Sequence, residues 1–382
     1  MGRLKNVLLC GSLLALIASC QPTVEETPAS EETPADNEIA ATKHLYVTTG
    51  LCYSGNGITT FTAATASNLI LKLNADTGVK EATMADFWAA PAAAGDTPIS
   101  IMDWDDDNLL VFVRNGATGR LETMPKVGGV RNTFGTTPAM STIISSNPAN
   151  MAKSSDGGIL MIRTGFIEKV TSSGIRLTTP HVNSNLGATC GTANALLTNI
   201  AVSATGRIIT ANAAASPNNR VISVPAAGAT GSCSAGIAAP AATTYATAMV
   251  FDKVNSKLIV AYAGPTTAAN VNSIHAYDFD EATGNITNDQ VIYDAASFPA
   301  TYSYLLFGIS AMTLDEDTNT LYVATAISNA TTVVNYAIEK FAYNASKIGS
   351  VNAEVLTRSG SVPFYNYGVD TKCISAMSVV TE

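Results

Sequence analysis

The fold is decided by the stretch Ile309-Ser-Ala-Met312-Thr-Leu-Asp315, which a short polar turn joins to Leu321-Tyr-Val-Ala-Thr325. The same arrangement occurs at Ala246-Thr-Ala-Met249-Val-Phe-Asp252, which is joined in the same way to Leu258-Ile-Val-Ala-Tyr262. In both places, segments rich in β-branched and aromatic residues flank a cluster of residues that favour turns, and this pattern predicts two antiparallel strands joined by a hairpin.

Weaker copies of this hairpin recur along the chain. With Met312 as the anchor, the equivalent positions are 102, 151, 200, 249, 312 and 377, which are 49, 49, 49, 63 and 65 residues apart. Each copy continues into a third strand that ends in Gly or Asn, as at Gly78 and Asn344, where a positive φ suits a tight turn. Short antiparallel strands with this period and no long amphipathic helix are typical of a β-propeller. We therefore predict an all-β, six-bladed β-propeller.

The two ends of the chain are predicted to share one blade. The last repeat, Ile374 to Val380, supplies an inner strand that no second strand follows. Leu45 to Thr49 is a second strand that no inner strand precedes. Pairing these two segments closes the ring and removes the free sheet edges that would otherwise promote aggregation.

A register argument brings two distant cysteines together. If Leu314 faces Leu321, an unbroken ladder places Gly308 opposite Ile327, and the equivalent pair in the closing blade places Cys373 one position from Cys52. An even number of cysteines in an exported chain favours disulfides, although free buried thiols remain the alternative. The expected bridges are Cys52 with Cys373, which would close the ring, and Cys190 with Cys233.

Residues 1–19 are predicted to form a lipoprotein signal peptide. Two basic residues precede the apolar run Val7–Ala18, which is shorter than the roughly 20 residues that span a bilayer. The run ends in Leu16-Ile-Ala-Ser-Cys20, which resembles the bacterial lipobox. The resemblance implies cleavage before Cys20 and lipidation of its thiol, and Gln21 in the next position implies delivery to the outer membrane. An ordinary cleaved signal, with Cys20 incidental, is the alternative.

Residues 20–40 form the predicted tether, and residues 41–382 form the propeller. The tether has six acidic residues, no basic residue and three prolines after Cys20, so it cannot bury enough apolar surface to fold. The whole chain has 21 Lys and Arg against 30 Asp and Glu, a formal charge of −9. This charge excludes non-specific nucleic-acid binding as the main function, because such binding needs a clustered positive surface.

Aromatic residues gather in the segments between blades. These segments run from the outer strand of one blade to the inner strand of the next, so we expect them on the same face as Cys52 and Cys373. Rings at this face suit stacking on a glycan or contact with a protein partner, and packing between blades is the alternative. The ligand-face candidates are Phe87, Trp88, Tyr302, Tyr304, Phe307, Phe364, Tyr365 and Tyr367.

Evidence for catalytic or metal chemistry is sparse in the sequence. Of three histidines, His275 falls within a third strand, where a packed or solvated role is more common than a catalytic one. No nucleophile elbow, zinc-binding helix or phosphate loop occurs. Asp103, Asp105 and Asp107 could ligate Ca²⁺ through alternating oxygens, but they also fall where the other repeats have a polar hairpin turn. We predict no cofactor other than this calcium candidate.

Blades of the form seen at Asp315 to Thr325 resemble those of bacterial lactonase-like and surface-repeat propellers. The lactonase-like members imply a metal in the central channel, held by carboxylate and by amide or imidazole side chains. No residues of this sequence match those ligands one by one. We therefore predict a monomeric, outer-membrane-anchored lipoprotein, on the periplasmic or cell-surface side, whose propeller binds a protein partner or glycan. A metal-dependent lactonase-like hydrolase is the alternative.

Overall fold

A computed structural model gives the structure of the chain. It describes residues 41–53, 61–63, 69–81, 96–115, 118–135, 140–141, 150–163, 166–177, 179–182, 197–212, 219–228, 233, 236–242, 244–263, 272–294, 305–328, 333–350, 354–360, 363–366 and 374–382. The predicted signal peptide and tether lie outside these residues. No helix in the described part of the chain has the length and apolar character of a membrane span.

The described residues form short strands that alternate along the chain with turns. In the first half they are β1 (Lys43–Thr48), β2 (Leu51–Tyr53), β3 (Phe61–Ala63), β4 (Ile70–Asn74), β5 (Asp96–Asp103), β6 (Asn108–Asn115), β7 (Thr118–Pro125), β8 (Asn132–Thr133), β9 (Met140–Ser141), β10 (Met151–Lys153), β11 (Ile159–Arg163) and β12 (Phe166–Val170). In the second half they are β13 (Leu197–Val202), β14 (Ile208–Asn212), β15 (Arg220–Val224), β16 (Ile237–Ala238), β17 (Tyr245–Asp252), β18 (Lys257–Ala263), β19 (Ser273–Phe279), β20 (Ile286–Asp294), β21 (Leu305–Asp315), β22 (Thr320–Ser328), β23 (Val333–Tyr343), β24 (Leu356–Arg358), β25 (Tyr365–Asn366) and β26 (Ala376–Thr381). A single turn of 3₁₀ helix spans Ala345–Lys347.

Six antiparallel sheets form the six blades of a β-propeller, as the repeat predicts. Blade 1 contains β5 to β9, blade 2 contains β10 to β12, and blade 3 contains β13 to β16. Blade 4 contains β17 to β20, and blade 5 contains β21 to β25. Blade 6 has the strand order β26-β1-β4, and the short hairpin of β2 with β3 is separate from it. The inner strands β5, β10, β13, β17, β21 and β26 pack beside one another in a complete ring.

Blade 6 confirms that the first and last strands share a sheet. The Cα of Met377 pairs with that of Val47, as superposition on the intact hairpin predicts. The pairing continues to the chain end, where Thr42 and Glu382 exchange two backbone hydrogen bonds of 2.9 Å. Because β26 is hydrogen-bonded to β1 along its length, the ring is closed by a continuous ladder rather than by side-chain packing alone.

β-Bulges in the inner strands shift the register that the sequence predicted. Leu314 faces Leu321 as expected, but Gly308 pairs with Ala326 and not with Ile327, because bulges interrupt the ladder on either side of it. In blade 6, β1 ends at Thr48, and Cys52 lies in β2, where it pairs with Thr62. The placement of Cys52 at the end of the second strand of the blade was therefore wrong.

The tight turns lie at one face of the propeller, which we call the turn face. It holds the turns from the first to the second strand and from the third to the fourth strand of each blade. The turns that follow third strands contain glycines of positive φ at Gly78, Gly174 and Gly228, as predicted. Asn344 differs, because it has a φ of −129° and its side chain caps the 3₁₀ helix. In that turn, Gly349 adopts the positive φ instead.

Apolar side chains fill the spaces between neighbouring blades. Strand alternation directs residues to both sides of each blade, so both surfaces of a blade become buried. Leu45, Leu71 and Phe112, for example, belong to one cluster that extends from blade 6 into blade 1. The core is therefore a ring of interfaces around the axis, and the axis itself is left as a channel.

Candidate functional site

The inner strands enclose a channel of about 200 Å³ on the propeller axis. All six blades contribute to its lining. Each contributes at least one hydroxyl or amide side chain, blade 6 also contributes Ser378, and one such side chain from each blade forms a polar ring. The polar ring consists of Ser100, Asn150, Asn199, Thr247, Ser310 and Ser375.

Several members of the polar ring are hydrogen-bonded between blades. Asn150 Nδ2 donates to Asn199 Oδ1 at 3.0 Å, and Asn199 Nδ2 donates to the carbonyl oxygen of Ala246 at 3.1 Å. Ser375 Oγ lies 2.9 Å from Thr48 Oγ1, within blade 6. These bonds connect blade 2 to blade 3 and blade 3 to blade 4, so part of the polar ring stabilises the assembly of the blades.

Ser310 differs from these neighbours. Its side chain is only 5 % exposed, and its Oγ has no hydrogen-bond partner among the described residues. It occupies the bulge between Ile309 and Ala311. Bulges redirect side chains and are over-represented beside functional sites. A buried hydroxyl without a partner costs about 1 to 3 kcal/mol. Ser310 therefore presents to the channel a buried hydroxyl group that no described residue uses.

A second, apolar ring lies beside the polar one. Its members occupy equivalent positions on the inner strands: Ile101, Met151, Ile200, Met249, Met312 and Met377. In blade 1 the register places Ile101 opposite Val111, so Ile101 and not Met102 is equivalent to Met312. The anchor at 102 was therefore wrong by one residue, because the connection between the paired positions is one residue shorter in blade 1: nine residues separate Ile101 from Val111, and ten separate Met312 from Val323.

The polar ring was not predicted from the sequence, although the repeats contain a signal for it. Blades 4, 5 and 6 each contain a triplet made of a hydroxyl residue, an alanine and the anchor methionine. The triplets are Thr247-Ala-Met249, Ser310-Ala-Met312 and Ser375-Ala-Met377. The methionine was recognised as a repeat marker. The hydroxyl residue was not, because an isolated Ser or Thr in a strand indicates no particular neighbour.

Buried charges on the third strands are paired within the blades. Glu122, Glu168 and Glu339 occupy equivalent positions on the third strands of three blades and are at most 4 % exposed. Glu339 Oε2 accepts from Arg358 Nε at 2.6 Å, and burial raises the pKa of its carboxyl group. Arg176 donates to Glu168 in the same way. These carboxylates face arginines of the outer parts of their blades and are absent from the channel lining.

Blade 4 contains a chain of hydrogen bonds from Ser273 through His275 to Asp289. Ser273 Oγ lies 2.9 Å from His275 Nε2, and His275 Nδ1 lies 2.6 Å from Asp289 Oδ1. The order matches a serine-hydrolase triad, but Ser273 is 0 % exposed and His275 is packed against the rings of Tyr262 and Tyr277. A nucleophile must reach its substrate, so this arrangement is a buried structural network, in keeping with the packed role expected for His275.

The predicted ligand-face aromatics are described only in part. Phe364 packs against Tyr322 with ring centroids 5.5 Å apart, and Lys340 Nζ lies 5.3 Å from its ring. All three residues belong to blade 5, and the Tyr322 hydroxyl donates to the carbonyl oxygen of Ala75 in blade 6 at 2.7 Å, so the Phe364 ring packs at the border with blade 6, as in the packing alternative. Tyr365 is half-buried in β25, and burial raises the pKa of its hydroxyl group. The remaining candidates are outside the described residues or, for Phe307, have no described side chain: Phe87, Trp88, Tyr302, Tyr304, Phe307 and Tyr367.

The acidic cluster of blade 1 forms a hairpin turn at the turn face. Asp105 Oδ1 accepts hydrogen bonds from the backbone of Asp107 and Asn108 at 3.0 and 2.7 Å. Asp103 pairs with Lys126 at 2.9 Å. Among the described residues, no three His, Cys, Asp or Glu side chains are grouped so as to hold a metal ion. Calcium binding at Asp103, Asp105 and Asp107 stays a prediction.

The cysteine predictions remain largely outside the described residues. Cys233 is disulfide-bonded. Its expected partner, Cys190, lies outside the described residues, as do Cys20 and Cys373, and only the backbone of Cys52 is described. Both pairings, and the lipidation of Cys20, therefore stay predictions.

The channel residues do not fit the metal that a lactonase resemblance implies. That metal needs carboxylate ligands together with amides or an imidazole. The described lining offers two amides, Asn150 and Asn199, together with hydroxyl, thioether and aliphatic groups. We therefore derive no catalytic step through a metal.

Comparison with known proteins shows the fold alone. No protein-family model and no curated protein matches the sequence. A chain in the crystal structure of a nidogen–laminin complex has a TM-score of 0.50 at 13% identity, with 88% of this chain and 98% of that chain covered. A candidate 6-phosphogluconolactonase from Bacteroides uniformis has a TM-score of 0.50 at 15% identity, with coverages of 84% and 82%. At such identities these likenesses show that the chain has a β-propeller fold, and fold does not determine function.

Proposed function

We propose that this chain is an outer-membrane-anchored lipoprotein whose propeller is a binding module for a glycan or a protein partner. The observation that carries the proposal is the polar ring of the channel, in which six blades present uncharged hydroxyl and amide groups. Such groups bind neutral hydroxyl and amide groups of a ligand through hydrogen bonds. Ser310 supplies a hydroxyl that no neighbouring described residue uses.

The similar folds include proteins from both functional classes. One of the similar chains comes from a protein–protein complex, and another is a candidate 6-phosphogluconolactonase. The composition of the channel lining favours the first class. An acid, a base or a metal-bound water is the usual requirement for hydrolysis of a lactone, and the channel side chains that we describe are hydroxyl, amide, thioether and aliphatic groups.

Glycan arrays and cross-linking of the full mature protein in membranes test the binding function. For a ligand that enters the channel, Ser310→Ala should weaken binding about two- to tenfold, which is the value of one hydrogen bond. Ser172→Ala is the matched control, because Ser172 is exposed in a turn of blade 2. Lactone hydrolysis that is lost on chelation would instead establish the hydrolase alternative.

The anchor needs a separate experiment. The support for it is the signal peptide that resembles a lipobox, followed by the acidic tether. Intact-mass analysis of the membrane-extracted protein should find a mature chain that begins at Cys20 and carries acyl chains. A chain that begins elsewhere, or has no acyl mass, would refute the anchor without affecting the binding function. Protease treatment of whole cells then decides between the periplasmic and cell-surface sides.

A further inference from the structure

A second cavity, of about 310 Å³, opens where the channel reaches the turn face. We call it the cup. Its lining includes Ala152, Ile200 and Met249, which also line the channel, so the cup is the exit of the channel at this face. It is formed by the last residues of the inner strands of blades 2 to 5. The described aromatic candidates play no part in it.

The floor of the cup is apolar. Val202 and Phe251 are 8 % exposed, and Val250 and Leu314 are half-buried at the ends of their inner strands. The floor therefore offers apolar surface that an aliphatic group would cover, and its removal from water is favourable by about 25 cal/mol per Å².

Two lysines stand at the rim of this floor. Lys153 Nζ donates to the carbonyl oxygen of Trp104 at 2.8 Å and lies 5.1 Å from the centroid of the Trp104 ring, so its position is defined. Lys253 is exposed, and its ammonium has no ion pair with another described residue. Its backbone N–H donates to Glu316 Oε1 at 2.5 Å.

The charges around the cup favour a single negative charge in the ligand. Among the described lining residues, Lys153 and Lys253 contribute two positive charges, and Glu316, the one carboxylate among them, contributes one negative charge. One Glu316 oxygen already accepts the backbone N–H of Lys253, so that carboxylate is held at the wall. The net charge of the rim is therefore positive by one.

We propose that the cup binds a small amphipathic anion, namely an aliphatic chain that ends in a carboxylate. The chain lies on Phe251, Val250 and Leu314 and displaces water from them. The carboxylate accepts charge-assisted hydrogen bonds from the ammonium of Lys253, and Lys153 adds a second positive charge. This site lies at the face opposite the predicted ligand face and does not depend on the function proposed above.

Isothermal titration with decanoate, kept below its micelle concentration, tests the proposal on the full mature protein. We expect saturable binding with one site, and binding of decanol, which has the same chain without the charge, about tenfold weaker. Fluorescence of Trp104 should change on binding, because its ring contacts Lys153. Absence of saturable decanoate binding, or equal affinity for decanol, would overturn the assignment of a carboxylate site.

Paired variants separate a local site from a general charge effect. Lys253→Met keeps the aliphatic stem and should weaken decanoate binding about tenfold, equivalent to about 1.4 kcal/mol. Lys80→Met removes the same charge from an exposed residue of blade 6 that is bridged to Leu73 and should leave the affinity unchanged. Leu314→Asn should weaken decanoate and decanol alike. Equal losses in Lys253→Met and Lys80→Met would refute the site, and thermal melts check that each variant is folded.

Discussion

A glycine contact between blades gives the sharpest test of how the ring is held together. Gly78 lies in the turn after the third strand of blade 6 and has a φ of +72°. A Cβ placed there would overlap the carbonyl oxygen of Phe364, in the outer part of blade 5, and would lie 3.1 Å from its carbonyl carbon. Gly349 is the matched control, because its φ is +84° and a Cβ there would meet no atom within 4 Å.

The two glycines share one energetic cost and differ in the other. An alanine at positive φ costs about 1 to 2 kcal/mol, and a stiffer unfolded chain offsets about 0.4 to 1 kcal/mol of it. Gly349→Ala should therefore lower the free energy of unfolding by about 1 kcal/mol. Gly78→Ala adds an overpacking cost of about 1 to 3 kcal/mol, because the obstructing atom belongs to the backbone of Phe364 and cannot rotate away. We expect a total of about 2 to 4 kcal/mol.

Urea unfolding followed by circular dichroism measures both variants. The difference between Gly78→Ala and Gly349→Ala isolates the interblade contact, since the strain of the positive φ is common to both. Phe364→Ala should not restore the stability of Gly78→Ala, because the carbonyl oxygen remains. Equal stabilities of the two glycine variants, or rescue by Phe364→Ala, would refute the argument that backbone contact between blades 5 and 6 limits this position.

Three further predictions concern buried polar groups. Burial lowers the pKa of His44 and of His181 below the usual value of 6.5, so the folded state favours the neutral rings. Their contribution to stability is fully present above pH 6.5, declines below pH 6.5 and is lost as pH falls through the lowered pKa of the folded state. His181→Gln should reduce this acid sensitivity in urea melts at pH 7 and pH 5. Ser273 should escape labelling by a fluorophosphonate probe in the folded protein, because it is 0 % exposed, and mass spectrometry of a labelled Ser273 peptide would contradict the structural role. Arg358→Met should lower the free energy of unfolding by about 3 to 5 kcal/mol, because it leaves the carboxylate of Glu339 buried and unpaired. Arg358→Lys keeps the charge, so an equal loss in the two variants would contradict the stabilising role of the buried ion pair.

The sequence predicted the strands of each blade because the residues that form a hairpin are close together in the chain. The strands around Met312 and Met249 follow from the alternation of apolar and polar residues and from the turn residues between them. The pairing of β26 with β1 follows from the closure that a ring of repeats requires. The same locality explains the register error at Gly308. A bulge adds one residue to one strand without any marker in a single sequence, and every extrapolated pair beyond it moves by one position.

What the sequence by itself determined about this protein is its all-β class, the number of blades and the shared blade at the chain ends, because these depend on patterns within about 50 residues and on their repetition. Tertiary structure decided which side chains of different repeats come into contact. Ser310 lacks a partner, Ser273 is buried beside His275, and Gly78 touches Phe364, because six separate segments converge on one axis and on shared interfaces. Contacts between residues far apart in the chain depend on side-chain direction at each bulge, so no local sequence pattern encodes them. The channel and the cup are both formed by such contacts.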